Sequence, residues 1–185
     1  MGKIGVFNFV SVDGFYAGSN GDISWFKSVG RDKEFDAFTH KSSKSGSTLI
    51  FGRTTYDMMK SYWPTKDAIK NDPVMADAVD NSPKIVFSRN IKKVEEGPHW
   101  KNITLLREIR SQEIKKIKGD ATILGSGSIV AQFSKLGLID EYTLVVVPVV
   151  LGSGKSMFTQ VKMDLKLLEA KTFKNGIVIL RYGRV

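Results

Sequence analysis

The sequence predicts an α/β fold: a central, mostly parallel sheet with helices on its faces and an antiparallel hairpin at the C-terminal end. Three observations predict it. From residue 4 to residue 136, short apolar runs alternate with segments of helical periodicity, the pattern of parallel strands joined by crossover helices. Two of these runs meet a glycine and restart as a helix, in Thr48-Leu49-Ile50-Phe51-Gly52-Arg53-Thr54-Thr55-Tyr56 and in Ala121-Thr122-Ile123-Leu124-Gly125-Ser126-Gly127-Ser128-Ile129. Near the end, two further strands flank Lys174-Asn175-Gly176, and Asn-Gly is the favoured composition of a tight hairpin turn.

In chain order, residues 4–10 form the first strand, being rich in β-branched and aromatic side chains. The loop over 11–22 follows, crowded with Ser, Asp, Gly and Asn. Phe35, Phe38 and Ser42 recur at helical spacing among charges, so 31–44 is an amphipathic helix that delivers the chain to a strand at 48–51. A short helix at 54–60, a loop around Trp63-Pro64 and a helix at 74–79 lead to a strand at 84–88. A strand at 103–106, a helix at 111–118, a strand at 121–124 and a helix at 128–136 complete the alternation. The chain then changes character, with a long apolar strand at 141–149 and the hairpin strands at 165–173 and 177–182. Residues 1–185 are expected to form one domain, since neither a repeat nor a linker divides them.

With 185 residues, 42% of them hydrophobic, the chain can bury one sizeable core. No apolar run approaches the roughly 20 residues of a membrane helix, and the stretch 4–12 has no small-residue cleavage site after it. A cytoplasmic protein with no membrane partner is expected. The absence of cysteine excludes disulfides, thiol catalysis and thiolate metal sites, and His40 and His99 are far apart, so no metal site is expected. The net charge of +9 is interspersed with acids, as in Lys92-Lys93-Val94-Glu95-Glu96, so the partner expected is a small molecule rather than nucleic acid.

At a strand-to-helix junction the first backbone N–H groups of the helix lack internal partners and lie at the positive end of its dipole, where a phosphate can settle. Two such seats imply one long ligand with phosphates along it, a nucleotide cofactor. Gly125-Ser126-Gly127-Ser128 has the small residues a backbone needs to approach a pyrophosphate; the alternative is a capped helix start without a ligand. A full dinucleotide fingerprint would place glycine at 130, which is Val130. In Gly52-Arg53-Thr54 the guanidinium can fork onto a ribose phosphate, which favours NADP over NAD, and Ser88-Arg89 supplies the same donor types. Gly152-Ser153-Gly154-Lys155-Ser156 looks like the tail of a P-loop, but Val149 stands where its first glycine is required. No serine has a credible base beside it. Among the acids Asp13, Asp32, Glu34 and Asp36, either Asp13 or Asp36 is placed to orient a substrate's amino or hydroxyl groups.

These features in this order resemble the dihydrofolate reductase superfamily, most closely the branch around the C-terminal reductase domain of the riboflavin biosynthesis protein RibD. The likeness runs over nearly the whole chain. It rests on Ser11-Val12-Asp13-Gly14 with Gly18, Asp22-Ile23-Ser24-Trp25, Gly52-Arg53-Thr54-Thr55-Tyr56, Trp63-Pro64, Lys84-Ile85-Val86-Phe87-Ser88-Arg89, Gly125-Ser126-Gly127, and Gly137-Leu138-Ile139-Asp140-Glu141-Tyr142 leading to Pro148-Val149-Val150-Leu151-Gly152-Ser153-Gly154. The resemblance implies a three-layer dihydrofolate reductase-like fold, bound NADPH and a homodimer. It also implies that Gly52, Arg53 and Thr54 hold the adenosine-side phosphates, Ser88 and Arg89 the 2'-phosphate region, and Gly125, Ser126, Gly127 and Ser128 the pyrophosphate. The loop carrying Ser11 and Gly14, with Trp25, would border the nicotinamide and the substrate. The substrate implied is a ribosylaminopyrimidine phosphate, whose sugar carbon receives hydride. The deaminase domain of the bifunctional relatives and its zinc motif are not expected among these 185 residues, and folate reduction, with Asp36 as the pterin-gripping acid, is the other activity the superfamily suggests.

Overall fold

The computed structural model describes residues 2–43 and 46–185. Its main sheet has eight strands: β1 (Ile4–Ser11), β3 (Thr48–Gly52), β4 (Lys84–Phe87), β5 (Ile103–Leu106), β6 (Ala121–Leu124), β7 (Glu141–Val147), β9 (Leu165–Thr172) and β10 (Val178–Arg184). Their order across the sheet is β5-β4-β3-β6-β1-β7-β10-β9. The first six strands of that order run parallel, and β10 turns antiparallel against both β7 and β9. Two very short strands, β2 (Phe15–Ala17) and β8 (Lys155–Ser156), pair in a separate ribbon.

Side-chain alternation along the strands divides the interior into two faces. Ile4 and Val6 of β1 point to one face, with Ile50 and Ile123, under α5 (Ser111–Ile114) and α6 (Gly127–Lys135). Phe7 and Phe9 point to the other, where Phe35 and Phe38 of α1 (Lys33–Ser43) meet Phe173 and Ile179. That second face continues under α2 (Arg53–Tyr62) and α4 (Pro73–Asn81), around Phe51, Tyr56, Val86 and Trp100. The result is a three-layer α/β fold with a mostly parallel sheet and an antiparallel end. Among the described residues no helix is long and apolar enough to cross a membrane.

Several boundaries differ from the expectation for local reasons. Lys44, the last residue of the expected first helix, lies outside the described residues. A further helix, α3 (Lys66–Asn71), starts where the Thr65 hydroxyl accepts the Ala68 N–H, behind the Pro64 break that hides its periodicity. Helix α5 stops at Ile114 because the next bonds tighten to three-residue steps, from Lys116 N–H to Glu113 and from Ile117 N–H to Ile114. Strand β7 ends at Val147, since Pro148 has no N–H to donate and the Val149 N–H folds back onto Val147 at 2.7 Å. The final turn is a three-residue loop closed between Phe173 and Ile177, with Gly176 at φ +87°.

Candidate functional site: the C-terminal edge of the parallel strands

Because β1, β3, β4, β5 and β6 are parallel, their C-terminal ends share one edge of the sheet. The order reverses there. The chain builds outward from β3 to β5, then returns to insert β6 between β3 and β1. Open α/β sheets bind their ligands in such a crevice, outside the strand ends. Gly52-Arg53-Thr54, Ser88-Arg89 and Gly125-Ser126-Gly127-Ser128 all emerge on this edge.

The two glycine junctions are laced directly to each other. The Gly52 N–H donates to Ser126 Oγ at 2.7 Å, and Thr55 Oγ1 shares a hydrogen bond with the same oxygen at 2.8 Å. A methyl group added at Gly52 would stand 2.8 Å from Ser126 Oγ, and one at Gly125 2.9 Å from Thr55 Oγ1. Glycine is required at both positions for contact that close. Gly125 and Ser126 both adopt left-handed backbone, φ +59° and +57°. For a serine that conformation is costly, and Ser126 is held in it by the bonds its hydroxyl makes. The Asn8 carboxamide fixes the turn from below, accepting the Gly125 N–H at 2.6 Å and donating to Met157 Sδ at 2.9 Å.

Neither α2 nor α6 has a side-chain cap at its N-terminus. Arg53 is exposed on the first turn of α2, pairing with Asp57 at 3.4 Å; Thr54 and Ser128 are exposed beside it and on α6. Ser88 is buried, and its hydroxyl oxygen accepts the N–H groups of Asn90 and Ile91 at 3.3 and 3.1 Å in the turn that follows. Arg89 is exposed. The Arg107 guanidinium, at the end of β5, donates to the Ser88 carbonyl at 3.0 Å and to the Arg89 and Ile91 carbonyls, so it shapes the loop that presents Arg89.

On the substrate side, Ser11 is buried and its hydroxyl donates to Asp13 Oδ1 at 2.6 Å while accepting the Phe15 N–H. Gly14 carries the turn at φ +84°. The Asp13 carboxylate also accepts the N–H groups of Leu151 and Gly152, the latter at 2.7 Å, and so ties the loop after β1 to the loop after β7. The Ser11 hydroxyl first, and then those backbone donors, hold the Asp13 carboxyl below the usual carboxylate range. A carboxyl so lowered contributes fully above its unfolded value of 3.8, and the contribution is lost as pH falls through the folded one. In Asp13→Ala the Leu151 and Gly152 amides should exchange at least about tenfold faster with solvent deuterium. Slow exchange retained alongside lost turnover would instead make Asp13 a catalytic group.

Asp36 lies on α1, 3.9 Å from the Arg31 guanidinium. Trp25 is buried in a 3₁₀ turn (Ser24–Lys27) against Phe26, which stacks on Phe9, and its indole N–H has no partner among the described residues.

Asn8, Arg107 and Tyr16 were not singled out from the sequence, and Thr55 only as part of the Gly52–Tyr56 junction. Asn8 did leave a signal, as the polar residue inside an apolar strand. Arg107 carries no such signal, being a single cation after a short strand. Tyr16 packs on Gly127 from the β2–β8 ribbon, a contact invisible without the fold.

This arrangement is a three-layer α/β domain with a crevice at the C-terminal ends of its parallel strands. The chain belongs to the RibD C-terminal domain family, which matches residues 3–179. It is 32% identical over 176 residues to the uncharacterized protein YyaP of Bacillus subtilis (strain 168), covering 94% of this chain and 90% of that one. Among solved structures it superposes with a TM-score of 0.73 on a Shewanella sp. PV-4 protein named as a candidate riboflavin biosynthesis protein, at 22% identity and over 100% of this chain and 99% of the other. A Thermotoga maritima diaminohydroxyphosphoribosylaminopyrimidine deaminase/5-amino-6-(5-phosphoribosylamino)uracil reductase gives a TM-score of 0.64 at 15% identity, with all of this chain covering 57% of that protein. At those identities the likeness to the two solved structures is one of fold.

Proposed function

We propose that the protein is an NADPH-dependent reductase that delivers hydride to a polarised C=N or C=O bond of a small heterocyclic or sugar-phosphate substrate, in the manner of 5-amino-6-(5-phosphoribosylamino)uracil reductases. The observation that carries this is the meeting of two uncapped helix starts and two exposed arginines, Arg53 and Arg89, on one edge of the sheet. The residues fit the cofactor. The glycines at 52 and 125 let the two helix starts approach each other closely, and the exposed side chains beside them, Arg53 and Arg89, are cationic, as a 2'-phosphate requires. NADPH supplies the hydride when bound.

The chain's own work is alignment. The N–H groups of Arg53, Thr54 and Ser128 bind anionic oxygen at the helix starts, and Arg53 and Arg89 select for a phosphorylated ribose. Asp13 fixes two loops against each other at the end of β1, which keeps the substrate side ordered and limits water. With its carboxylate so engaged, Asp13 acts as a positioning residue. That engagement also favours a second reading, a nucleotide-binding module of the same fold without catalysis. Oxidation of bound NADPH by a panel of ribosylaminopyrimidine phosphates and dihydrofolate separates the two.

Titration with NADPH and NADH, followed by quenching of Trp25, Trp63 and Trp100, should show NADPH bound more tightly. Arg53→Ala and Arg89→Ala should each weaken NADPH about tenfold or more, with much smaller effects on NADH, as expected for one charge-assisted contact. Equal losses for both cofactors would remove the 2'-phosphate assignment.

A further inference from the structure

Strand β5 delivers a second arginine to the turn that carries Arg89. Phe87 of β4 and Leu106 of β5 are partners in parallel register, and the Ser88 N–H donates to the Leu106 carbonyl at 3.0 Å, so the chain leaves the two strands with Arg107 beside Ser88. The Arg107 guanidinium then gathers four carbonyls of one turn. Its Nη1 donates to those of Ser88 at 3.0 Å, Arg89 at 3.4 Å and Ile91, and its Nη2 to that of Lys92 at 3.5 Å. The Ser88 hydroxyl holds the same turn through its N–H groups, accepting those of Asn90 and Ile91. Among the described residues neither Arg107 nor Arg89 has a carboxylate within ion-pair distance: the adjacent Glu108 is taken by Arg110. Arg53, the other exposed arginine of this edge, is by contrast paired with Asp57 at 3.4 Å.

We infer that Arg107 is the positioning residue for recognition of the cofactor's 2'-phosphate: its guanidinium holds the turn from Ser88 to Lys92 in the shape that presents the Arg89 side chain to that phosphate. The inference rests on the cofactor reading above. A turn fixed before binding loses little freedom when the anion arrives, whereas a loose one must be ordered as it binds, which weakens affinity. Only a ligand with a phosphate at this turn feels that difference, so Arg107 acts on NADPH and hardly on NADH. An ammonium cannot replace it. The guanidinium is a planar fork with donors enough for several carbonyls at once, while lysine is a point charge on a flexible stem. Arg107 touches no cofactor atom in this scheme, because the carbonyls of the turn engage its donors.

Calorimetric titration of NADPH and NADH into the wild type, Arg107→Met, Arg107→Lys, Arg89→Ala and the Arg89→Ala/Arg107→Met double variant tests this. Arg107 is exposed, so these variants are expected to fold. Arg107→Met should weaken NADPH about threefold to tenfold and NADH less than about twofold. In the Arg89→Ala background the same change should weaken NADPH less than about twofold further, since Arg107 acts through Arg89. Arg107→Lys, which keeps the charge but not the fork, should lose about as much as Arg107→Met, and in both the Asn90 and Ile91 amides should exchange faster with solvent deuterium. A loss that adds in full to that of Arg89→Ala, that is equal for NADPH and NADH, or that Arg107→Lys restores in full overturns the inference and leaves the cofactor reading standing. Unchanged NADPH affinity or unchanged amide exchange in Arg107→Met does the same. A wild type that binds neither cofactor overturns the cofactor reading and the inference with it.

Discussion

Lys84→Met is expected to lower the unfolding free energy by about 3 kcal/mol near neutral pH, the larger of the two stability effects argued here. Lys84 opens β4 and is 1% exposed. Its ammonium donates to three carbonyls, those of Asp80 and Ser82 at the end of α4 and of Lys101 before β5, at 2.8–2.9 Å, and lies 4.9 Å from the centre of the Trp100 ring. It gathers a helix end and the approach to a neighbouring strand into one knot. Methionine matches the stem but leaves buried acceptors without a donor, at about 1–3 kcal/mol each, set against relief from burying a charge. Burial pushes the Lys84 ammonium down to about 8 from 10.5, against the pull of Asp80 and Glu96. Between those values the unfolded chain binds more protons than the folded one, so the wild type gains stability as pH rises, by at most about 3 kcal/mol. Below the window both states are charged and the gain is absent. The gap between wild type and Lys84→Met should therefore widen from pH 7.5 to pH 10, about the edges of that window, in urea denaturation. A variant more stable than wild type at both would mean that the buried charge is a net liability.

Asn8→Leu should damage the site more than the fold. Asn8 is 3% exposed and is the Gly125 N–H's acceptor, at 2.6 Å. Leucine suits the surrounding core but leaves that N–H without a partner beneath a turn whose next residue, Ser126, is already in left-handed backbone. The expected cost is about 1–3 kcal/mol of stability, together with loss of about tenfold or more in NADPH affinity as the Gly125–Ser128 turn relaxes. Asn8→Asp keeps an acceptor and loses the donor to Met157, so its binding defect should be smaller. Calorimetric titration alongside thermal unfolding reads both quantities. Affinity unchanged at reduced stability would separate the turn from the cofactor.

The architecture was legible because it rests on local signals. Strands β1, β3, β4 and β6 are apolar runs ended by Gly or Ser; the helices other than α3 carry their own periodicity; and Asn175-Gly176 announces the hairpin. The strand-to-helix junctions at Gly52 and Gly125 could be seen for the same reason. What escaped are interactions whose partners lie far along the chain. Asn8 meets Gly125 across 117 residues, and Asp13 meets Gly152 across 139, so the tie that Asp13 makes to a second loop left no trace in its own neighbourhood. The hydroxyl of Ser88 also accepts two local N–H groups, in a turn that the sequence reading did not include. The short strands β2 and β8 carry no periodicity of their own, and without their pairing nothing points to Tyr16.

The insertion of β6 between β3 and β1 also dictates the order in which the molecule can be made. Ile4 pairs with Ala121, and Gly5 with Glu141, so β1 leaves the ribosome more than 110 residues ahead of either sheet neighbour. Contacts of that sequence separation close slowly. Strands β3, β4 and β5, contiguous in sequence and in space, can pair while β1 waits with Phe7 and Phe9 uncovered. A nascent chain therefore passes through a stage in which β1 is a sticky ribbon, and the crevice comes into being only when β6 and α6 arrive.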